Sequence, residues 1–145
     1  MLLLPIGSIG VDHFCFHASA PPMLLVGKWF VFWSAGVRLF FAGLRQFFQP
    51  GFTAHEIFHI KGEDALPLVR ELGVANVAIG VVGIASVAKL SFVLPVAIIA
   101  AIFYGIAGIR HFAEKGRTRN ESVAMISDLW VSLVFAAYIG FVALA

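Results

Sequence analysis

Charge is scarce in this chain, and cysteine scarcer. Asp, Glu, Lys and Arg make up 12% of its 145 residues, about half the share in a soluble domain. The single cysteine, Cys15, excludes an internal disulfide framework and any Cys-x-x-Cys redox or zinc site. It reads as a buried or membrane-edge thiol. Ten cations against eight anions leave a net charge of +2. Those cations form no dense basic stripe with interleaved aromatics, so nucleic acid is not an expected partner. Low-complexity tracts and internal repeats are absent too.

What remains is apolar. Hydrophobic residues make up 61% of the chain, against roughly 45–50% in soluble domains. A soluble protein this small has too little interior to hide that surface. Lipid can cover it. Segments 66–87, 92–112 and 122–145 are long apolar runs, and 23–48 is apolar apart from Lys28, Arg38 and Arg45. Each is long enough to cross a bilayer core of about 30 Å at 1.5 Å rise per residue. The expected fold is all-α: an integral membrane antiparallel four-helix bundle over 23–145, with 1–22 as a mobile or interfacial N-terminal segment. That segment resembles a signal-peptide core but lacks basic residues ahead of it, and Pro5 interrupts it. Ala18-Ser19-Ala20 has the look of a cleavage site.

Breakers set the organisation. Pro21-Pro22 opens the first span, and Gln49-Pro50-Gly51 closes it. Residues 53–60 read as a short interfacial helix, with Thr53 and Glu56 at capping-box spacing. Pro67 suits the first turn of the second span. Residues 88–91 are a tight connection, 113–119 a basic loop, and Asn120 a natural N-cap for the fourth span.

By parity, the loops after the first and third spans share a side. That side holds Arg45, Lys61, Arg70, Arg110, Lys115, Arg117 and Arg119, while the other holds Lys28 and Lys89. The excess predicts that both loops are cytoplasmic and both termini outside, in a bacterial-type inner membrane. Trp29 and Trp33 suit the outer interface.

Small residues recur at helical spacing. The stripes are Ala35, Arg38, Ala42 and Arg45; Gly73, Asn76, Gly80 and Gly83; Ala97, Ala101 and Gly105; and Ala124, Asp128, Ser132, Ala136 and Gly140. Such stripes let helix backbones approach closely where lipid supplies no hydrophobic push.

A charge at mid-membrane costs at least about 2.5–3.5 kcal/mol. Arg38 lies roughly 15 Å before the cytoplasmic end of the first span and Asp128 roughly 10 Å below the cytoplasmic end of the fourth. They are expected to pair, supported by Asn76, with Arg45 pairing to Glu71 or Glu56. Arg38, Arg45, Glu71, Asn76 and Asp128 then form a cytoplasmic-side polar cluster. It is read as a small-ligand or proton site, or as ion pairs that set helix register.

His55-Glu56-Ile57-Phe58-His59 is an HExxH run. In zincins the two histidines bind zinc and the glutamate acts on the metal-bound water. Zinc held by His55, Glu56 and His59 is thus a minor alternative; no cofactor is the main expectation. A third ligand at a familiar spacing is missing, and Glu56 already has the capping role. His13 and His17 form a second pair one turn apart, but a bis-histidine haem needs ligands from opposing helices. His111 suits a helix C-terminus.

Three stretches carry a likeness to a known family. They are Gly27-Lys28-Trp29-Phe30-Val31-Phe32-Trp33 with Gly43-Leu44-Arg45-Gln46; Arg70-Glu71-Leu72-Gly73-Val74-Ala75-Asn76-Val77-Ala78-Ile79-Gly80; and Asn120-Glu121-Ser122-Val123-Ala124-Met125 with Ser127-Asp128. Together they resemble an uncharacterised family of small four-helix bacterial membrane proteins, a domain of unknown function. The layout is loosely similar to DoxX-like proteins, some of which accompany membrane redox enzymes. The resemblance implies four membrane helices and no particular activity. The family pattern does not demand both histidines of the 55–59 run.

The function expected from all this is that of an accessory or small-ligand-binding membrane protein. Its partners are the lipid bilayer and a membrane-protein partner or a second copy of itself. The alternatives are a small-solute or proton transporter, an HExxH membrane metallohydrolase and a DoxX-like redox-complex subunit.

Overall fold

A computed structural model describes residues 3–15, 20–113 and 119–145, without the side chains of 119–121. The described residues are helical, with no strand among them. We number the helices α1 (Leu3–Cys15), α2 (Pro22–Phe48), α3 (Leu66–Ala85), α4 (Val93–Ala113) and α5 (Arg119–Leu144). A single turn of 3-10 helix, Leu90–Phe92, leads into α4. Four segments are long and apolar enough to cross a membrane: Pro22–Phe48, Leu66–Ala85, Leu90–Ala113 and Ser122–Leu144.

Local sequence explains most of the ends. Proline occupies the first turn of α2 and of α3, where its missing N–H costs nothing. Gln49 leaves helical geometry ahead of Pro50 and so ends α2. The fourth span departs from expectation. Its backbone is already helical at Arg119, so Asn120 lies inside α5 rather than capping it.

The N-terminal segment is also helical. The Trp29 and Trp33 indoles of α2 donate to Asp12 and Ser8 of α1, each at 2.9 Å, and Lys28 reaches Asp12 at 2.7 Å. These bonds fasten α1 along the start of α2 and satisfy both indole N–H groups.

The central helix is α2, which touches every other helix. Its contact with α3 is glycine-lined. A Cβ on Gly36 would lie 2.8 Å from the Gly83 backbone, and one on Gly43 would lie 2.7 Å from the Val77 amide. Residue numbers rise along α2 as they fall along α3. On its other side α2 meets the α4–α5 hairpin, where Gly105 faces Ser132 and Gly108 faces Leu129. The main core lies there: Val31, Ala35, Val96, Ala100, Val131 and Phe135 are almost fully buried. Contact between α3 and α4 is sparse, which leaves an open groove between them.

The stripe Gly73, Asn76, Gly80 and Gly83 is buried as a unit. On α2, however, Gly36 and Gly43 make the close approach to α3, while Ala35 turns to the other side. On α5 the buried face is Asp128, Val131, Phe135 and Tyr138. Ala136 is exposed, and a Cβ on Gly140 would meet open space.

Candidate functional site

Midway along α2 the helix widens. Val31–Val37 is a π-helical segment, a form found mostly as short insertions, often at functional sites. Its hydrogen bonding is shifted. The Arg38 amide donates to the carbonyls of Trp33 and Ala35, so the Ser34 carbonyl is not its acceptor. That carbonyl receives the Tyr104 hydroxyl of α4 at 2.5 Å. The Ser34 side chain is buried, and its Oγ has no hydrogen-bond partner among the described residues.

One turn further on, Arg38 reaches α5. Its Nη2 donates to Asp128 Oδ1 at 2.5 Å. Nη1 points to Ser127 Oγ at 3.4 Å, a long and weak bond. The guanidinium also lies over the Tyr104 ring, 4.7 Å from its centroid, where the ring's negative face attracts it. The Asp128 side chain is 8% exposed and that of Arg38 is 23%. Three helices thus meet at one charge pair roofed by a phenol. The pair is sealed on the acidic side and partly open on the basic side.

The remaining predicted residues lie elsewhere. Asn76 is buried, but its Nδ2 donates to Gln46 Oε1 at 2.8 Å, closing a separate α2–α3 contact. It does not support Asp128. Arg45 stacks over Phe52, 3.6 Å from the ring centroid, instead of pairing with Glu71 or Glu56. Both glutamates are exposed and form no salt bridge among the described residues. The expected five-residue cluster is therefore two contacts, Arg38–Asp128 and Asn76–Gln46, plus an aromatic stack.

The HExxH run is not a continuous α-helix. Phe52–Ile57 is π-helical, and His59 sits beyond it at φ +53°. The left-handed backbone at His59 removes the one-turn geometry that would bring both rings onto one face. His55 Nε2 lies 3.2 Å from the Gly62 carbonyl. The capping box is not formed either: Thr53 is buried inside the segment, Glu56 is exposed, and no side chain caps its start. Among the described residues, no group of three or more His, Cys, Asp or Glu side chains is placed to hold a metal ion. His17 lies outside the described residues, as do Lys115 and Arg117 of the basic loop.

Sequence reasoning missed Ser34, Tyr104, Ser127 and Gln46. A tyrosine and isolated hydroxyls blend into apolar helices. The one available signal was spacing, since Ser34 lies one turn before Arg38 and Ser127 adjoins Asp128.

No curated protein and no solved structure matches this chain. The model of DUF6790, described as a family of unknown function, matches residues 1–145, and the chain belongs to that family.

Proposed function

We propose that the chain is an integral membrane protein of four antiparallel spans, and that it works as an accessory, small-ligand-binding protein centred on the Arg38–Asp128 pair. One observation carries this reading: the pair joins α2 to α5 inside apolar spans while leaving the guanidinium partly accessible. Two charges at that depth are tolerable only when paired. A pair serving register alone has no need of an open side. The unpartnered Ser34 hydroxyl lies in the same neighbourhood, and a buried polar atom of that kind calls for a partner. A small polar ligand would supply it, and the pair itself could hold or exchange a proton.

A transport role has less support. Outward of the pair, Val31, Ala97, Ala100 and Phe135 close a dry apolar layer at 0% exposure. The metallohydrolase reading lacks converging ligands. In the favoured orientation, the ends of α2 and α4 and the starts of α3 and α5 face the cytoplasm of a bacterial-type inner membrane.

The test uses detergent-purified full-length protein, melted with and without panels of small organic anions and cations. A ligand that raises the melting temperature of the wild type, but not of an Arg38→Leu/Asp128→Leu variant that still folds, is the expected result. Equal shifts in both proteins, or none in either, would refute the ligand site.

A further inference from the structure

The sparse contact between α3 and α4 leaves a groove of about 560 Å³. Its walls are Leu72 of α3 and Ile99, Ile102 and Ile106 of α4. Those isoleucines are between 43 and 64% exposed, so the groove opens sideways along the apolar length of the spans. One end is chemically different. Arg110 and His111, in the last turn of α4, line it together with Phe58 from the segment before α3. The Arg110 guanidinium sits over the Phe58 ring at 5.3 Å. A smaller apolar hollow of about 220 Å³ adjoins, sharing Phe58 and Leu72.

We infer that this groove is a site for an anionic phospholipid, with an acyl chain along the isoleucine wall and the phosphate at Arg110. The inference rests on the membrane reading above but concerns a different site. The argument is complementarity. A long apolar trough that ends in a basic group matches a molecule with a long apolar tail and a charged head. Basic pockets between helices on the cytoplasmic side are where anionic headgroups are held. By the Lys and Arg count, that is the side on which Arg110 lies. Arg110 does not have to be idle to serve. Its guanidinium has five donors and can hold a phosphate oxygen while keeping its present neighbours. The α4 C-terminus carries a partial negative charge that opposes an anion. A full cation in the same turn outweighs it. Zwitterionic lipid carries the same phosphate, but its choline cation offsets that charge and is repelled by Arg110, so it gains less from the arginine, which separates specific occupancy from generic solvation.

The experiment is native mass spectrometry of the full chain in neutral detergent, titrated with phosphatidylglycerol or with phosphatidylcholine of identical chains. Wild type should retain one phosphatidylglycerol more tightly than phosphatidylcholine. Arg110→Gln should weaken that binding about fivefold, the factor expected for one basic residue near an anionic surface. Arg110→Lys should largely preserve it. Ile106→Trp, at an exposed position, should block it by filling the trough. Lys61→Gln, a charge change outside the groove, should leave it unchanged. Inorganic phosphate at millimolar concentration should not displace the lipid. Equal retention of both lipids, insensitivity to Arg110→Gln and Ile106→Trp, loss with Lys61→Gln, displacement by free phosphate, or occupation of the groove by a second copy of the chain would each overturn the proposal. Flotation of wild type with liposomes tests membrane insertion separately. Flotation without phosphatidylglycerol preference refutes the lipid site alone.

Discussion

Arg38 and Asp128 are the residues whose loss should be felt most. Removing one member of a buried pair strands the other charge, which costs about 3–5 kcal/mol. The lower end applies here, because Arg38 keeps some access. Asp128→Asn and Arg38→Leu should each lower unfolding stability in detergent, and the Arg38→Leu/Asp128→Leu double variant should lose less than the sum. Strictly additive losses would mean that the two side chains do not interact. Tyr104→Phe removes only the bond to the Ser34 carbonyl and should cost about 0.5–1.5 kcal/mol. Asp12 lies outside the spans. The hydrogen bond from Lys28, aided by that from Trp29 and opposed by partial burial, holds its carboxyl below the usual range. A depressed carboxylate contributes stability above its unfolded pKa and loses it as pH falls through the folded value. Docking of α1 should therefore persist at neutral pH and weaken only below the ordinary carboxylate range. Trp29 fluorescence reports the change. A transition that survives Asp12→Asn would show that another group is responsible.

At the level of whole helices, glycine placement decides how closely two spans can meet. Gly36 and Gly83 touch backbone to backbone, and an added methyl group must push α2 and α3 apart. Overpacking of this kind costs about 1–3 kcal/mol. Gly36→Ala and Gly83→Ala should each destabilise the protein by that order in chemical unfolding. Gly140→Ala meets nothing and replaces a poor helix former, so it should be neutral or gain up to about 1 kcal/mol. Equal effects at Gly36 and Gly140 would contradict the close crossing. Part of this was legible in the sequence. Run length and hydropathy located the four apolar helices, because a span needs an apolar length that little else produces. The cost of an embedded charge pointed Arg38 toward Asp128. The four-residue stripes found the buried face of α3 and, through Ala35 and Arg38, the face of α2 that meets the α4–α5 hairpin. They did not find the Gly36 and Gly43 face of α2 that meets α3, and they missed along the end of α5 that holds Ala136 and Gly140. Spacing alone does not say which of two neighbours a small residue faces. The π segment, the Tyr104 bond and the left-handed turn at His59 have no local periodic signal.

For the whole molecule the open matter is which way it sits, and the asymmetry of charge is large enough to predict it. Seven basic residues fall on one side and two on the other, with Arg38 between. Cationic loops resist translocation, so the rich side is the one expected in the cytoplasm. The chain carries its own reporter. Cys15, the single cysteine, is exposed at the end of α1. Because Lys28 and Trp29 tie α1 to the start of α2, Cys15 must share the side of that start. A membrane-impermeant maleimide should label Cys15 in intact cells. In a Cys15→Ser background, Lys61→Cys lies in the opposite loop and should react only after the membrane is opened. The reverse pattern would invert the topology and place Arg110 and the groove mouth on the outer face. Labelling of both positions in intact cells would mean that the chain does not hold one orientation, and the charge asymmetry would then be too weak to govern insertion.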